Sequence, residues 1–249
     1  MRTLFISLLL LFSLYATAQN KRVLYQEQTW LGYSPQIKLS KHWGLWFDSE
    51  IHTNDHYFHG FSQATFRVAG TYYNRKNNKF TGGYGYTDFF PGENHAYISI
   101  AEHFAWEQYQ WFRNTKKTKL MQWVRVEEKF KKNVVDNYTA ADNSTLVYKA
   151  RYNILYQISL SSKGMVPKAL ALSMGDELYL YYGPHVNNHL FDQNRIFIGL
   201  SYSVNAHDNL QVGVMNMLQE DLSGQFKDTN VLRFSFFQNI DLGKSKSTE

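Results

Sequence analysis

The chain has 249 residues, and its 26 Lys and Arg residues against 21 Asp and Glu give a formal net charge of +5. The absence of cysteine excludes a disulfide framework and any metal site built on thiolates. Phe, Tyr and Trp make up 17% of the chain, which excludes an intrinsically disordered protein and favours β-structure.

The N-terminus has the form of a secretory signal peptide. Arg2 supplies a positive charge, Leu4 to Tyr15 form an apolar run, and Ala16-Thr17-Ala18 gives the small-x-small pattern that signal peptidase reads. The run is shorter than the roughly 20 apolar residues of a membrane-spanning helix, which argues against an anchor. We therefore predict a signal peptide at 1–18, export to the cell outer membrane, and a mature domain at 19–249.

The mature chain alternates with period two from beginning to end, which indicates strands. The predicted strands are longer than the usual strands of about 5 to 6 residues and suit the roughly 9 to 11 residues that cross a membrane in a tilted barrel. Eleven segments can be distinguished, but single-chain bacterial barrels have an even number of strands, so we predict ten or twelve. The segments are 28–39, 43–53, 61–74, 79–89, 96–112, 118–131, 145–161, 168–182, 194–204, 209–219 and 229–242.

The two faces of these strands differ in polarity. Between Tyr148 and Leu160, Tyr, Ile and Leu alternate with polar residues such as Lys149 and Arg151. A transmembrane barrel shows this pattern, with apolar residues towards lipid and polar residues towards the lumen. A soluble lipocalin-like binder would exchange the two faces. Small residues on the polar face and aromatic clusters near strand ends favour the membrane form. Three polar residues are exceptions that we place on the lipid side: Glu102, Asp176 and Asn216.

The connections alternate in length, with longer ones such as Lys132–Ser144 and Gly183–Gln193 between short turns. Up-and-down barrels have short periplasmic turns and longer external loops. We predict an all-β fold, a single antiparallel up-and-down transmembrane β-barrel with its N-terminal segment in the periplasm. Its partners would be outer-membrane lipid and lipopolysaccharide.

Several short motifs, taken in order, resemble a known family. They are Tyr33 to Asp48 (YSPQIKLSKHWGLWFD), Glu102-His103, Arg125-Val126-Glu127, Arg151-Tyr152, Gly175-Asp176-Glu177 and Phe191-Asp192-Gln193-Asn194-Arg195. This series is similar to the domain-of-unknown-function 2490 family of predicted outer-membrane barrels in Gram-negative bacteria. The resemblance covers nearly all of the mature chain. It implies location and architecture, and it implies no activity.

Charged residues on the polar face are the candidate functional residues. We predict a mixed-charge lumen cluster near mid-height, and the alternation gives weaker lumen candidates on other strands. Such a set either forms a structural salt-bridge lattice or a charged constriction that selects small solutes. The prediction is a non-enzymatic narrow pore or structural surface barrel, without cofactor. The cluster comprises Arg125, Glu127, Arg151, Glu177 and Arg195, and the weaker candidates are Glu50, Arg67, His103, Glu107 and Arg233.

A membrane-embedded hydrolase acting on lipid or lipopolysaccharide is the alternative. Ser99, His103 and Glu107 are spaced by four residues on one strand, but such positions lie roughly 13 Å apart, beyond the reach of a nucleophile and its base.

Metal and nucleic-acid binding receive little support from the sequence. His52, His56 and His59 with Asp55, and His185 with His189, give only a weak metal cue because histidines are frequent in polar loops. The basic residues are spread along the chain instead of forming a patch, which disfavours nucleic acid.

Overall fold

Period-two alternation produces strands along the whole described chain. The computed structural model describes residues 23–54, 56–92, 95–183, 190–220 and 224–243. The predicted signal peptide and the polar tail 244–249 lie outside these residues. The all-β prediction is confirmed. The strands are β1 (Val23–Lys38), β2 (Trp43–Thr53), β3 (Phe61–Tyr73), β4 (Lys79–Phe89), β5 (Ile100–Asn114), β6 (Thr118–Asp136), β7 (Thr139–Ser159), β8 (Leu170–Tyr182), β9 (Phe191–Ser203), β10 (Asp208–Glu220) and β11 (Phe226–Asp241).

The described residues form a closed barrel of eleven strands, so the prediction of ten or twelve is wrong. Each strand pairs antiparallel with its neighbours in sequence, whereas β1 and β11 pair in parallel, from Val23 with Phe226 to Lys38 with Asp241. An odd number of hairpin-linked strands leaves the first and last strands running in the same direction. The seam is therefore parallel, and the barrel is not purely antiparallel.

The odd strand count also places the start of β1 and the end of β11 at opposite ends of the barrel. Val23 lies at the end where β2, β4, β6, β8 and β10 finish, which we call the loop end. Asp241 lies at the other end, with connections 39–42, 74–78, 115–117, 160–169 and 204–207, which we call the turn end. The N-terminal end of β1 lies at the loop end, whereas the short connections lie at the turn end. The two expectations exclude each other here.

The predicted long link Lys132–Ser144 is instead the end of a β-hairpin. Lys132 pairs with Ser144, and the β6–β7 ladder continues to a two-residue turn at 137–138. The last β5–β6 pair is Glu102 with Lys131, and β7 meets β8 only from Tyr148 onward. The hairpin tip therefore projects beyond the neighbouring strands at the loop end.

The connection between β4 and β5 packs against this hairpin tip. The Tyr97 and Tyr138 rings stack with centroids 4.5 Å apart. The Tyr97 backbone N–H donates to the Asn137 carbonyl at 3.1 Å. Both rings are otherwise exposed, at 66% and 67%. The Ala96 N–H also donates to Asn137 Oδ1 at 3.4 Å, so one stacked pair and two hydrogen bonds hold the tip.

Aliphatic residues cover much of the outer face, whereas aromatic and polar residues fill the interior. Ile198 is 50% exposed and Val214 52%. Among the described residues, no helix is long and apolar enough to cross a membrane. Two interior apolar groups occupy opposite sides of the barrel. The first consists of Trp30, Phe197, Met215, Met217 and Val231. The second consists of Ala69, Phe104 and Trp106, with Trp46 packed against them.

Glycines on the inner face make room for these large side chains. A Cβ on Gly85 would overlap the Phe104 ring, and one on Gly83 would overlap the Ala69 side chain and backbone. Overfilling a close-packed interior is destabilising. Gly85 of β4 therefore makes room for Phe104 of β5, and Gly83 allows close approach of β3.

Candidate functional site in the barrel interior

Three cavities follow one another inside the barrel. The loop-end cavity has a volume of about 610 Å³, the middle cavity about 220 Å³ and the turn-end cavity about 530 Å³. Trp30 and Glu50 line both the first and the second, whereas Ser34 and Gln36 line both the second and the third. The cavities are therefore adjacent along the barrel, and the middle one has the smallest volume.

Four of the five predicted cluster residues, Arg125, Glu127, Arg151 and Glu177, are in contact; we call them the central ion-pair cluster. Arg151 Nη1 donates to Glu127 Oε1 at 2.5 Å, and its Nε donates to Glu177 Oε1 at 2.9 Å. Arg125 Nη1 lies 3.5 Å from Glu127 Oε1. Glu127 is 1% exposed. A carboxylate so deeply buried needs cationic partners. It has three here, because Lys129 Nζ also lies 3.7 Å from Glu127 Oε2.

Strand register explains why these four side chains meet. Arg125 and Arg151 lie directly opposite each other on β6 and β7. Like charges at opposed positions repel. Glu127 and Glu177 occupy inward positions nearby on β6 and β8, so each carboxylate reaches Arg151 from a different side. The alternation of the sequence and the strand order together are sufficient to assemble this cluster.

A second group of ion pairs faces the middle cavity from β2 and β3. Arg67 pairs with Asp48, and its Nη1 and Nη2 each lie 3.4 Å from Glu50 Oε2. Asp48 and Arg67 are directly opposed in the β2–β3 ladder. Two of the weaker candidates, Glu50 and Arg67, thus lie in the interior and contact each other.

Arg195 and Arg233 line the same cavity but have a different environment. The Arg195 guanidinium lies 4.7 Å from the Trp30 ring and 4.5 Å from the Tyr179 ring. The Arg233 guanidinium lies 5.4 Å from the Phe197 ring. Within the described ranges, neither arginine has a carboxylate oxygen within 4 Å. Arg195, predicted as the fifth member of the cluster, is opposed to Glu177 in the ladder without forming an ion pair with it.

Two ion pairs in the loop-end cavity involve acidic residues, Glu102 and Asp192, that the sequence analysis did not place inside. Lys129 Nζ donates to Glu102 Oε1 at 2.7 Å, and Lys149 Nζ donates to Asp192 Oδ2 at 2.7 Å. Glu102 was expected on the lipid side, but the structure places it inside. Lys129 on the adjacent strand, with which Glu102 pairs, was the sequence signal that could have placed Glu102 inside.

The structure places His103 and Glu107 on the outer face, contrary to expectation. His103 is exposed, and its Nδ1 hydrogen-bonds the Tyr84 hydroxyl. Glu107 is likewise exposed, beside an outer groove floored by Gly82. The inward residues of β5 between them include Phe104 and Trp106, because the glycines of β4 leave space for rings.

The other two exceptions of the sequence pattern do lie on the outer face, where each has a partner. Asn194 Nδ2 donates to Asp176 Oδ1 at 2.6 Å, and Asn216 Nδ2 donates to Asp228 Oδ1 at 2.6 Å. These hydrogen bonds between adjacent strands offset part of the cost of placing polar groups there.

The residues of the hydrolase alternative do not assemble. Ser99 precedes β5 at the surface, and His103 points outward. Inside the barrel, Ser173 and Ser201 hydrogen-bond to each other at 2.7 Å and share the amide of Gln157. These serines serve a polar network between strands rather than a nucleophile–base pair.

The histidines of the weak metal cue are also separated. The His52 ring stacks on Trp30 inside the barrel, with centroids 3.7 Å apart. His56 and His59 contact each other edge to face in the 54–60 connection. No group of three His, Cys, Asp or Glu residues suited to a metal occurs in the part of the chain that the structure describes. Asp55, His185 and His189 lie outside that part.

A family model described as "Protein of unknown function (DUF2490)" matches residues 27–228. The chain belongs to the DUF2490 family. The match runs from β1 into β11 and so includes every interior residue described above except Val231 and Arg233. The family resemblance inferred from the short motifs is therefore confirmed. No curated protein and no solved structure matches this chain.

Proposed function

We propose that this DUF2490 protein is a non-enzymatic outer-membrane β-barrel of a Gram-negative bacterium that acts as a narrow pore for small polar solutes. The observation that carries the proposal is the series of three adjacent interior cavities along the barrel. Each has charged and polar side chains in its lining, as the lumen of a solute pore has.

The outer face supports a membrane location. Aliphatic residues on β8, β9 and β10 point outward, and aromatic residues gather near the turn end on β2 to β5, as in an interfacial girdle. A closed barrel also leaves no unpaired strand edge, which a hydrocarbon environment requires. The outward aliphatic set includes Leu170, Ile196, Ile198, Leu200, Val212 and Val214, and the aromatic set includes Trp43, Tyr72, Phe80 and Tyr109.

The middle cavity is the proposed constriction. The central ion-pair cluster faces it from one side, and Asp48, Glu50 and Arg67 face it from the other. Rings of charged side chains set the selectivity of pores. The small volume and the charged residues of this cavity suit small hydrated solutes and exclude bulky apolar ones.

A structural barrel without conductance is the second candidate. The burial of Glu127 at 1% exposure favours it, because a side chain in a wide water-filled pore would remain hydrated. In this case the ion pairs would bridge strands across the interior and close the passage. The two candidates share the fold and location and differ in permeability.

Single-channel recording in planar bilayers tests the pore directly. We expect small, steady conductance from the refolded mature protein. Arg151→Ala should increase it by widening the constriction, whereas Arg75→Ala, on the exposed turn 74–78, should leave it unchanged. Silence of the parent protein and of the Arg151 variant would refute the pore and favour the structural barrel.

Cell fractionation tests the location independently of conductance. We expect the protein in the outer-membrane fraction, with migration on gels that changes on heating. Recovery in the soluble periplasmic fraction after osmotic shock would contradict the proposed location.

A further inference from the structure

The arginines of the middle cavity are unequally paired with carboxylates. Five arginines line it or lie at its edge, and the carboxylates among them are already engaged by three of these arginines. Arg195 and Arg233 remain without a carboxylate within 4 Å among the described residues. Both interact with Glu50 only over a longer range. The cavity thus contains two cations that lack a direct counter-charge.

The surroundings hold these two guanidinium groups in place through their faces. Trp30 and Tyr179 flank Arg195, and Phe197 flanks Arg233. Aromatic faces attract the guanidinium plane, which leaves its N–H edges available to a ligand. With its amide oxygen facing Arg195, Gln193 accepts from Nε at 3.1 Å and from Nη2 at 2.7 Å. Arg195 Nη1 and the Arg233 donors have no carboxylate to bind.

The space beside these groups suits a small oxyanion. The middle cavity has a volume of about 220 Å³, and one water takes about 30 Å³ in the liquid. Inorganic phosphate or a small carboxylate fits, whereas a lipid headgroup with its chains does not. Arginine is the residue best matched to such ligands, since its planar fork donates two parallel hydrogen bonds.

The route to this site is also basic. The loop-end cavity opens next to the middle cavity, and Lys129, Lys131 and Lys149 line it. Lys131 lies 4.2 Å from the Phe89 ring, and no carboxylate lies within 4 Å of its ammonium group in the described ranges. Basic walls in a confined space raise the local concentration of anions.

We propose that Arg195 and Arg233 form a binding site for a small phosphate- or carboxylate-bearing anion within the barrel. The inference rests on the proposed function and deepens it, because it names anions as the class of solute that the passage holds. The two guanidinium groups supply the hydrogen-bond donors. Lys131 of the loop-end cavity, which has no carboxylate within 4 Å among the described residues, attracts the anion towards them.

Titration calorimetry with inorganic phosphate tests the site on the refolded mature protein in detergent micelles, at constant ionic strength. We expect saturable binding to one site. Arg195→Gln and Arg233→Gln should each weaken it about tenfold, because each removes one fork. Arg233→Lys keeps the charge and loses the fork, so it should also weaken binding. Arg75→Gln on the turn 74–78 should have no effect. Heat-modifiable migration verifies that each variant is folded.

The outcomes separate this site from the pore. Absence of phosphate binding by the folded parent protein, or equal binding by the Arg195 and Arg233 variants, would overturn the site. Binding that is lost in both variants supports the site even when bilayers show no conductance, which would refute only the pore. Conductance without phosphate binding would support the pore and refute the anion-binding site.

Discussion

Replacing Glu127 by glutamine removes one buried negative charge with little change of side-chain volume. Glu127 contacts Arg151 at 2.5 Å, Arg125 at 3.5 Å and Lys129 at 3.7 Å. Removal of one partner from a buried ion pair costs about 3–5 kcal/mol, since an uncompensated charge stays behind. Glu127 is 1% exposed, so water provides little screening in compensation.

The three cations are affected unequally, and this determines the expected magnitude. Arg151 retains Glu177, and Lys129 retains Glu102. Arg125 retains only the Gln108 amide and the faces of aromatic rings, the nearest 4.3 Å away. Because only one guanidinium loses all of its carboxylate partners, we expect the free energy of unfolding to fall by about 3 kcal/mol, the lower end of that range. For a chain of this size it corresponds to a fall in Tm of about 10 °C.

The matched control is Glu128→Gln, the same chemical change on the next residue of β6, whose side chain is exposed. It should change stability by less than about 0.5 kcal/mol. Urea unfolding of the refolded barrel, followed by tryptophan fluorescence, measures both variants. Adding Arg125→Gln to Glu127→Gln removes the stranded charge and should recover part of the loss. Equal stability of the Glu127 and Glu128 variants would refute the buried ion-pair assignment.

Two further predictions concern packing. Gly85→Ala should destabilise the barrel by about 1–3 kcal/mol because its Cβ overlaps the Phe104 ring, whereas Gly82→Ala, whose nearest neighbours lie 3.9 Å away, should be nearly neutral. Urea unfolding compares the two, and equal effects would contradict the inward position of Gly85. Tyr138→Ala should release the 95–99 segment and accelerate its proteolysis severalfold, because a stacked pair contributes about 0.5–1.5 kcal/mol. Tyr25→Ala, which removes an exposed ring, is the control. Unchanged cleavage in both variants would contradict the packing of the 95–99 segment against the hairpin tip.

The strands were predictable because period-two alternation depends only on local sequence. The number of strands was also available from the eleven segments. A general expectation of even numbers overrode it, although hairpins can close an odd barrel through one parallel pair. The projecting end of the β6–β7 hairpin was missed because polar residues at 132–144 resemble a loop. Its backbone bonds, not side-chain polarity, keep it in strand conformation.

The central ion-pair cluster was predictable, because its members alternate cleanly with apolar neighbours. The face assignment of β5 was not predictable, because both faces of this strand carry polar and apolar residues. Glu102, Phe104 and Trp106 point inward, and His103 and Glu107 point outward. Polarity alone gives no answer in such a strand. The glycines at inward positions of β4 decide it, since only they leave space for rings.

The parallel seam has a consequence for the order of folding. The hairpins join strands across short connections, whereas β1 and β11 join residues on the order of 200 positions apart, which costs about 3 kcal/mol more in chain entropy than a short turn. We therefore expect the seam to form last, after a curled sheet of eleven strands already exists. Weakening the seam should slow refolding more than an equal weakening of any hairpin, as time-resolved gel migration would measure. The barrel then has one long-range strand pairing, between β1 and β11, and the formation of this pairing determines the rate at which the barrel closes.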